Sequence, residues 1–176
     1  MEKTIEIPND VQAEIENFKI VVKGPKGSLE KDFYSPLFRK DITFQKNDNK
    51  ITISSNSKTR KVKAMVGTME SIVKNMIAGV KEVYSVKLKM VYMHFPFTVK
   101  VTGKDIIITN FLGAKAPKKA RILGDCNVEI QGDEITITGV SKEDVGLTAG
   151  QLEHATWIKQ RDRRVFQDGI FVTKKP

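Results

Sequence analysis

Lys159, Arg161, Arg163 and Arg164 fall within six consecutive positions, and Asp162 is the only acid among them. Arginine offers a planar fork that meets a phosphate with two bonds, and lysine a mobile point charge. The pattern is therefore chemistry for phosphates rather than for a reaction. Lys115, Lys118, Lys119 and Arg121 make a second cluster with no acid between them, and Lys174 and Lys175 close the basic set. These ten residues are the candidate contacts to a polyanion, read here as folded RNA.

Phe111 and Phe166 flank the two larger clusters, and an aromatic so placed can stack on an exposed base or pack a ribose. For Phe166 the favoured reading is simpler: a core plug that fixes the basic segment. The arginines have a plain alternative too, a solvated face with i, i+4 pairing, which four cations with one acid among them make the weaker reading. Lys58, Arg60, Lys61 and Lys63 open a helix, where the dipole disfavours cations. They read equally as a secondary RNA contact or as a solvated helix start.

Catalytic constellations are missing. His94 sits at an apolar strand end and reads as a structural histidine. His154 has no cysteine or second histidine at ligand spacing, and Glu153 beside it points elsewhere on a helix. Gly24-Pro25-Lys26-Gly27-Ser28 lacks the four-residue gap and the Gly-Lys-Ser/Thr ending of a phosphate loop, and it joins strand to strand. Cys126 has no paired base, and as the only cysteine it excludes an intramolecular disulfide and a cysteine-built metal site. No enzyme, cofactor, metal or small-molecule substrate is expected.

The 176 residues carry a formal charge of +9, which points to nucleic acid or an acidic membrane surface as partner, against the plain alternative of a soluble protein that happens to be basic. The first residues have no apolar segment of the secretory kind, and no run approaches the length of a spanning helix. The expectation is a soluble, intracellular, cytoplasmic protein with no membrane partner.

The elements that position these charges occur twice. Thr4 to Ile7 and Phe18 to Val22 alternate as strands. Leu29, Lys31 and Phe33 suggest a return strand after Gly24 to Gly27. Ile42 to Lys46 and Lys50 to Ser54 form a hairpin around Asn47-Asp48-Asn49. Val62, Met65, Val66, Met69, Ile72, Val73, Met76 and Ile77 then follow helical spacing, with Gly79 at the place of a C-cap glycine.

The pattern begins again at Val83 to Met93. Phe97 to Val101 ends at Gly103 as Phe18 to Val22 ends at Gly24. Ile106 to Ile108 with Phe111 give a return strand. Val128 to Ile130 and Ile135 to Thr138 give a hairpin, and Ser141 to Asp144 resemble a capping box. The following helix carries Leu152, Ala155 and Ile158. Val145, Ala149, Leu152 and Ala155 follow Val62, Val66, Met69 and Ile72 by 83 positions. The fold class is α+β: two tandem copies of an antiparallel β-sheet packed against one α-helix, an internal duplication. The boundary is expected near residues 80 to 84, dividing 1–81 from 82–176.

The second copy alone carries the insertion Asn110 to Arg121, read as a basic loop, and the basic tail. Charge totals barely differ: residues 1–82 hold fifteen basic and eleven acidic residues, residues 83–176 fifteen and ten. Clustering, not total charge, marks the second copy.

Four stretches resemble a known family: Val22-Lys23-Gly24-Pro25-Lys26-Gly27, His94-Phe95-Pro96, the helix entry Ser141 to Gly146, and Gln160 to Val172. Together they resemble the ribosomal protein L-six family of the large subunit, in its archaeal and eukaryotic form, over essentially the whole chain. The last stretch is the most specific. The resemblance implies binding to large-subunit rRNA, mainly through the second domain, near the sarcin–ricin loop, the stalk base and the region where translation factors dock. It implies neighbouring large-subunit ribosomal proteins as further partners. The rival readings are a non-ribosomal RNA chaperone or adaptor binding structured RNA, and a protein–protein module.

Overall fold

The computed structural model describes residues 2–47, 49–57 and 59–175. Asp48 of the expected first-copy turn and Lys58 of the helix-opening cluster lie outside them. The chain divides into two compact units, Met1–Val83 and Tyr84–Pro176.

The first unit holds β1 (Glu2–Glu6), β2 (Gln12–Glu16), β3 (Lys19–Gly24), β4 (Gly27–Asp32), β5 (Ile42–Asn47), β6 (Lys50–Ser55) and α1 (Arg60–Lys81). Two antiparallel sheets, ordered β1-β6-β5 and β2-β3-β4, share the helix as their cover. Period-2 alternation buries Ile20 and Val22 from β3. The period of the helix buries Val62, Val66, Met69, Val73, Met76 and Val80.

Gly79 does not cap α1. The helix runs on to Lys81 with Glu82 as C-cap, because Val80 is itself a core residue, 0 % exposed. Its carbonyl accepts the Lys26 N–H at 3.0 Å. Gly24 lies so close that a Cβ there would stand 2.8 Å from Val80 Cγ2 and 2.9 Å from its carbonyl oxygen. The glycine of this turn is thus required by close packing of hairpin on helix.

The second unit holds β7 (Tyr84–Val91), β8 (Thr98–Thr102), β9 (Asp105–Thr109), a 3-10 turn (Phe111–Gly113), β10 (Lys118–Arg121), β11 (Asn127–Gln131), β12 (Glu134–Gly139), α2 (Lys142–Ala155) and β13 (Gly169–Lys174). Its sheets are ordered β11-β12-β7-β13 and β10-β9-β8. The first three strands repeat β5-β6-β1, and β8, β9 and β10 repeat β2, β3 and β4. A duplicated α+β fold is therefore visible in the strand order itself. β13 is the addition: it pairs with the side of β7 that its counterpart β1 leaves open.

The topology corrects three further expectations. β2 is an additional strand, and with it in place Gly103 corresponds to Asn17, not to Gly24: both sit in the left-handed region, at φ 61° and 57°, in equivalent turns. Lys118, Lys119 and Arg121 belong to a strand, not a loop. β10 pairs antiparallel with β9, which buries Ala120 and presents Lys119 and Arg121 outward. The helix expected to carry Ile158 stops at Ala155, where buried Thr156 turns the chain.

Candidate nucleic-acid interface

The basic segment 157–168 connects α2 to β13, and its geometry follows from how firmly both ends are tied. Ser141 Oγ accepts the Asp144 N–H at 3.2 Å to start α2. Val145, Ala149 and Leu152 bury one stripe of it. Just beyond its end, Thr156 is 2 % exposed. Its hydroxyl donates to the Glu153 carbonyl at 3.1 Å and accepts the Ile170 N–H at 3.0 Å, which joins the entry of the segment to its exit. A surface loop whose ends are closed in this way is compact and well shaped.

Asp168 makes the second tie. It is 2 % exposed. Oδ1 accepts the main-chain N–H groups of Met93 at 2.7 Å and His94 at 3.1 Å, and Oδ2 lies 2.8 Å from His94 Nδ1. Burial pushes this carboxyl up, but the bonds from His94 and Met93 outweigh it and leave it below the ordinary carboxylate range. His94 is thus a satisfied structural histidine, and its ring stacks on Phe166 at 4.5 Å. Phe166 is half-buried, not a core plug: it carries His94 and the Arg161 guanidinium, which lies 4.8 Å from its ring centre.

Inside the segment Asp162 organises a turn. Its carboxylate takes both Arg164 Nε (3.2 Å) and Nη2 (3.0 Å) as well as the Arg164 N–H (3.0 Å). The Arg164 side chain first, then its main chain, holds the Asp162 carboxyl low. The acid therefore engages Arg164 and leaves its neighbours facing solvent. Arg163 lies 5.6 Å from the ring centre of Trp157.

Four of the ten expected contacts meet. Lys118, Lys119, Lys159 and Arg161 line one cleft of about 560 Å³ together with His154 and Trp157. Lys118 sits half-buried with Nζ 4.4 Å from the Phe111 ring centre. Burial, and then the charge of Lys159, lower its pKa, as expected for a half-buried lysine near a second cation. Arg163 and Arg164 border an adjoining cleft on the same tryptophan. Arg121 continues the line along β10 beside Lys119, with Nε 3.8 Å from Asp105.

Lys115 stands exposed on the connection before β10, apart from these clefts. Lys174 and Lys175 do not join the cluster, because Lys174 lies opposite Lys87, at the far end of β13 from Gly169. Phe111 is 3 % exposed and packs edge-on against Phe97, so it supports Lys118 from below and offers no ring face to a base. Trp157 and His154 join the site, although sequence reasoning gives Trp157 no role and weighs His154 only as a metal ligand. The available signal is an aromatic at the helix end within two positions of the basic run.

Other chemistry is not assembled. Burial, then the charge of Asp144, push the Cys126 thiol up, away from a reactive thiolate. Among the described residues no group of three His, Cys, Asp or Glu is placed to hold a metal ion, and no helix is long and apolar enough to cross a membrane.

Comparison with known proteins decides the family. The family model for ribosomal protein L6 matches twice, at residues 7–83 and 95–169. The chain belongs to the ribosomal protein L6 family. Each match falls within one of the two units, so the duplication is a property of the family's own domain. Curated relatives agree over nearly the full length. The large ribosomal subunit protein uL6 of Methanosarcina mazei is 43 % identical over 173 residues, 98 % of this chain and 96 % of its own. That of Natronomonas pharaonis is 42 % identical over 176 residues, covering 100 % and 97 %. That of Archaeoglobus fulgidus is 43 % identical over 180 residues, covering 99 % and 90 %. L6 proteins are ribosomal proteins, a family with no known enzymes, and this chain is accordingly not an enzyme. The second L6 match includes the whole arginine segment and stops at Gly169, where β13 begins.

Proposed function

We propose that the chain is a structural constituent of the large ribosomal subunit that binds large-subunit rRNA, mainly through its second unit. The observation that carries the reading is the cleft that Lys118, Lys119, Lys159 and Arg161 line together beside Trp157, with Arg163 and Arg164 alongside. Such a set neutralises phosphates and fixes register without reading sequence, which suits A-form RNA, whose deep groove is closed to side chains. Lys115, Arg121, Lys174 and Lys175 extend the contact beyond the cleft. Family resemblance favours a location near the sarcin–ricin loop, the stalk base and the translation-factor region, with neighbouring ribosomal proteins as further partners. Ribosome association makes the working location cytoplasmic.

Sedimentation of lysate through sucrose at low and then high salt tests this. Co-migration with the large subunit that survives moderate salt is the expected result. Migration as a free small protein would transfer the reading to a chaperone of structured RNA.

A further inference from the structure

Trp157 is the only tryptophan of the chain, and half of its surface is exposed. A large apolar ring so exposed on a small ribosomal domain calls for an explanation, because burial would favour it more than exposure does. Three observations say what faces it. First, its backbone is rigidly presented: the preceding Thr156 is buried and bonded to both Glu153 and Ile170. Second, its neighbours are cations. Arg163 lies 5.6 Å from its ring centre, and Lys118, Lys159 and Arg161 line the same cleft. Third, the adjacent His154 ring, 5.3 Å away, is tilted by 52° and therefore does not cover it by parallel stacking.

An apolar protein surface would meet this ring beside Lys118, Lys159, Arg161 and Arg163, with Glu153 and the already bonded Asp168 as the acids of the adjoining cleft. A nucleotide satisfies both requirements at once, since every base has a flat π-face and every linkage carries a phosphate. Bases within a duplex are stacked on one another, so the one that fits is unpaired: a bulged, looped or terminal residue. We propose that Trp157 is a stacking platform for an unpaired base of the bound RNA, with Lys118, Lys159 and Arg163 on the phosphates flanking that nucleotide. Lys118 and Lys159 line the same cleft, so one phosphate between them would answer both charges. The proposal rests on the RNA-binding reading above and names the site within it.

The single tryptophan provides its own probe. The full chain is titrated with two RNA hairpins, one with a continuous stem and one with a single bulged adenosine, while tryptophan emission and the anisotropy of labelled RNA are recorded. The expected result is quenching by the bulged hairpin alone, with tighter binding of that hairpin. Trp157→Ala should lose about 5- to 150-fold in affinity for it and little for the continuous stem. Trp157→Phe, which keeps a ring and serves as the folding control, should retain most of the binding. Equal binding of both hairpins without quenching, and unchanged in Trp157→Ala, overturns the stacking site while leaving RNA binding in place. Failure of both hairpins to bind at low salt overturns the site together with the reading it rests on.

Discussion

Asp168 Oδ2 lies 2.8 Å from Nδ1 of His94, a residue 74 positions earlier in the chain. This contact pins the end of the arginine segment to the end of β7, and Phe166 stacked on the same imidazole extends the pin. Asp168→Ala leaves the Met93 and His94 N–H groups without their acceptor, at a cost of about 1–3 kcal/mol for each such group. Denaturant unfolding should register a loss of that order, with Asp168→Asn in between. Because the folded-state carboxyl sits low, its stabilisation is complete above the unfolded pKa of about 3.9 and is lost as pH falls through the folded value. Wild type should therefore lose stability on acidification below about pH 4 more steeply than Asp168→Asn.

Replacing Arg161, Arg163 and Arg164 together by alanine should weaken rRNA binding and flatten its salt dependence. Each phosphate that is no longer neutralised lowers the slope of log affinity against log salt by about 0.7–0.9. Circular dichroism should show the fold intact, since all three side chains are exposed. A slope equal to that of wild type would remove the segment from the interface. Asp162→Asn is the converse variant: it releases Arg164 from its bidentate partner, and affinity should rise.

Lys118→Met should weaken RNA binding without harming the free protein. The thioether keeps a favourable contact with the Phe111 ring, and the repulsion by Lys159 disappears. Bound phosphate favours the protonated lysine, so wild-type affinity should fall as pH rises through the lowered range of Lys118. The pH profile of the variant should lack that component.

Gly24→Ala probes the other unit. The new Cβ would stand 2.8 Å from Val80 Cγ2 and 2.9 Å from its carbonyl oxygen, so hairpin and helix must separate. A destabilisation of about 1–3 kcal/mol is expected, in the range of overpacked cores. Hydrogen exchange should quicken at the Lys26 amide, which donates to Val80. RNA affinity should not change.

The helices and most hairpins are legible because burial writes its period into the sequence: Val62, Val66 and Met69 in α1, Val86, Leu88 and Met90 in β7. β2 is not, because Gln12-Ala13-Glu14-Ile15-Glu16 is composed of good helix formers with only two apolar residues. β10 is hidden for a related reason. Lys-Lys-Ala-Arg offers one small buried side chain, and its pairing with β9 is a tertiary fact. Gly79 misleads because a glycine late in a helix marks a cap only where the helix has no further core residue to place, and Val80 follows. At the site, the residue types in the two larger clusters are readable. Which of them converge is not, because Lys118 and Lys159 meet only when β10 packs beside α2. Lys174 is carried off along β13.

β13 also fixes an order of events during synthesis. The ribosome makes all other elements of the second unit before residues 169–174, and until these emerge β7 has an unpaired edge and the segment 157–168 has only one tether. Thr156 cannot bond Ile170, nor Asp168 settle beneath His94, before the strand arrives. The nascent domain therefore remains both adhesive at its sheet edge and unshaped at its arginine segment until residues 169–174 are translated. Docking of that one strand ends both conditions in a single step.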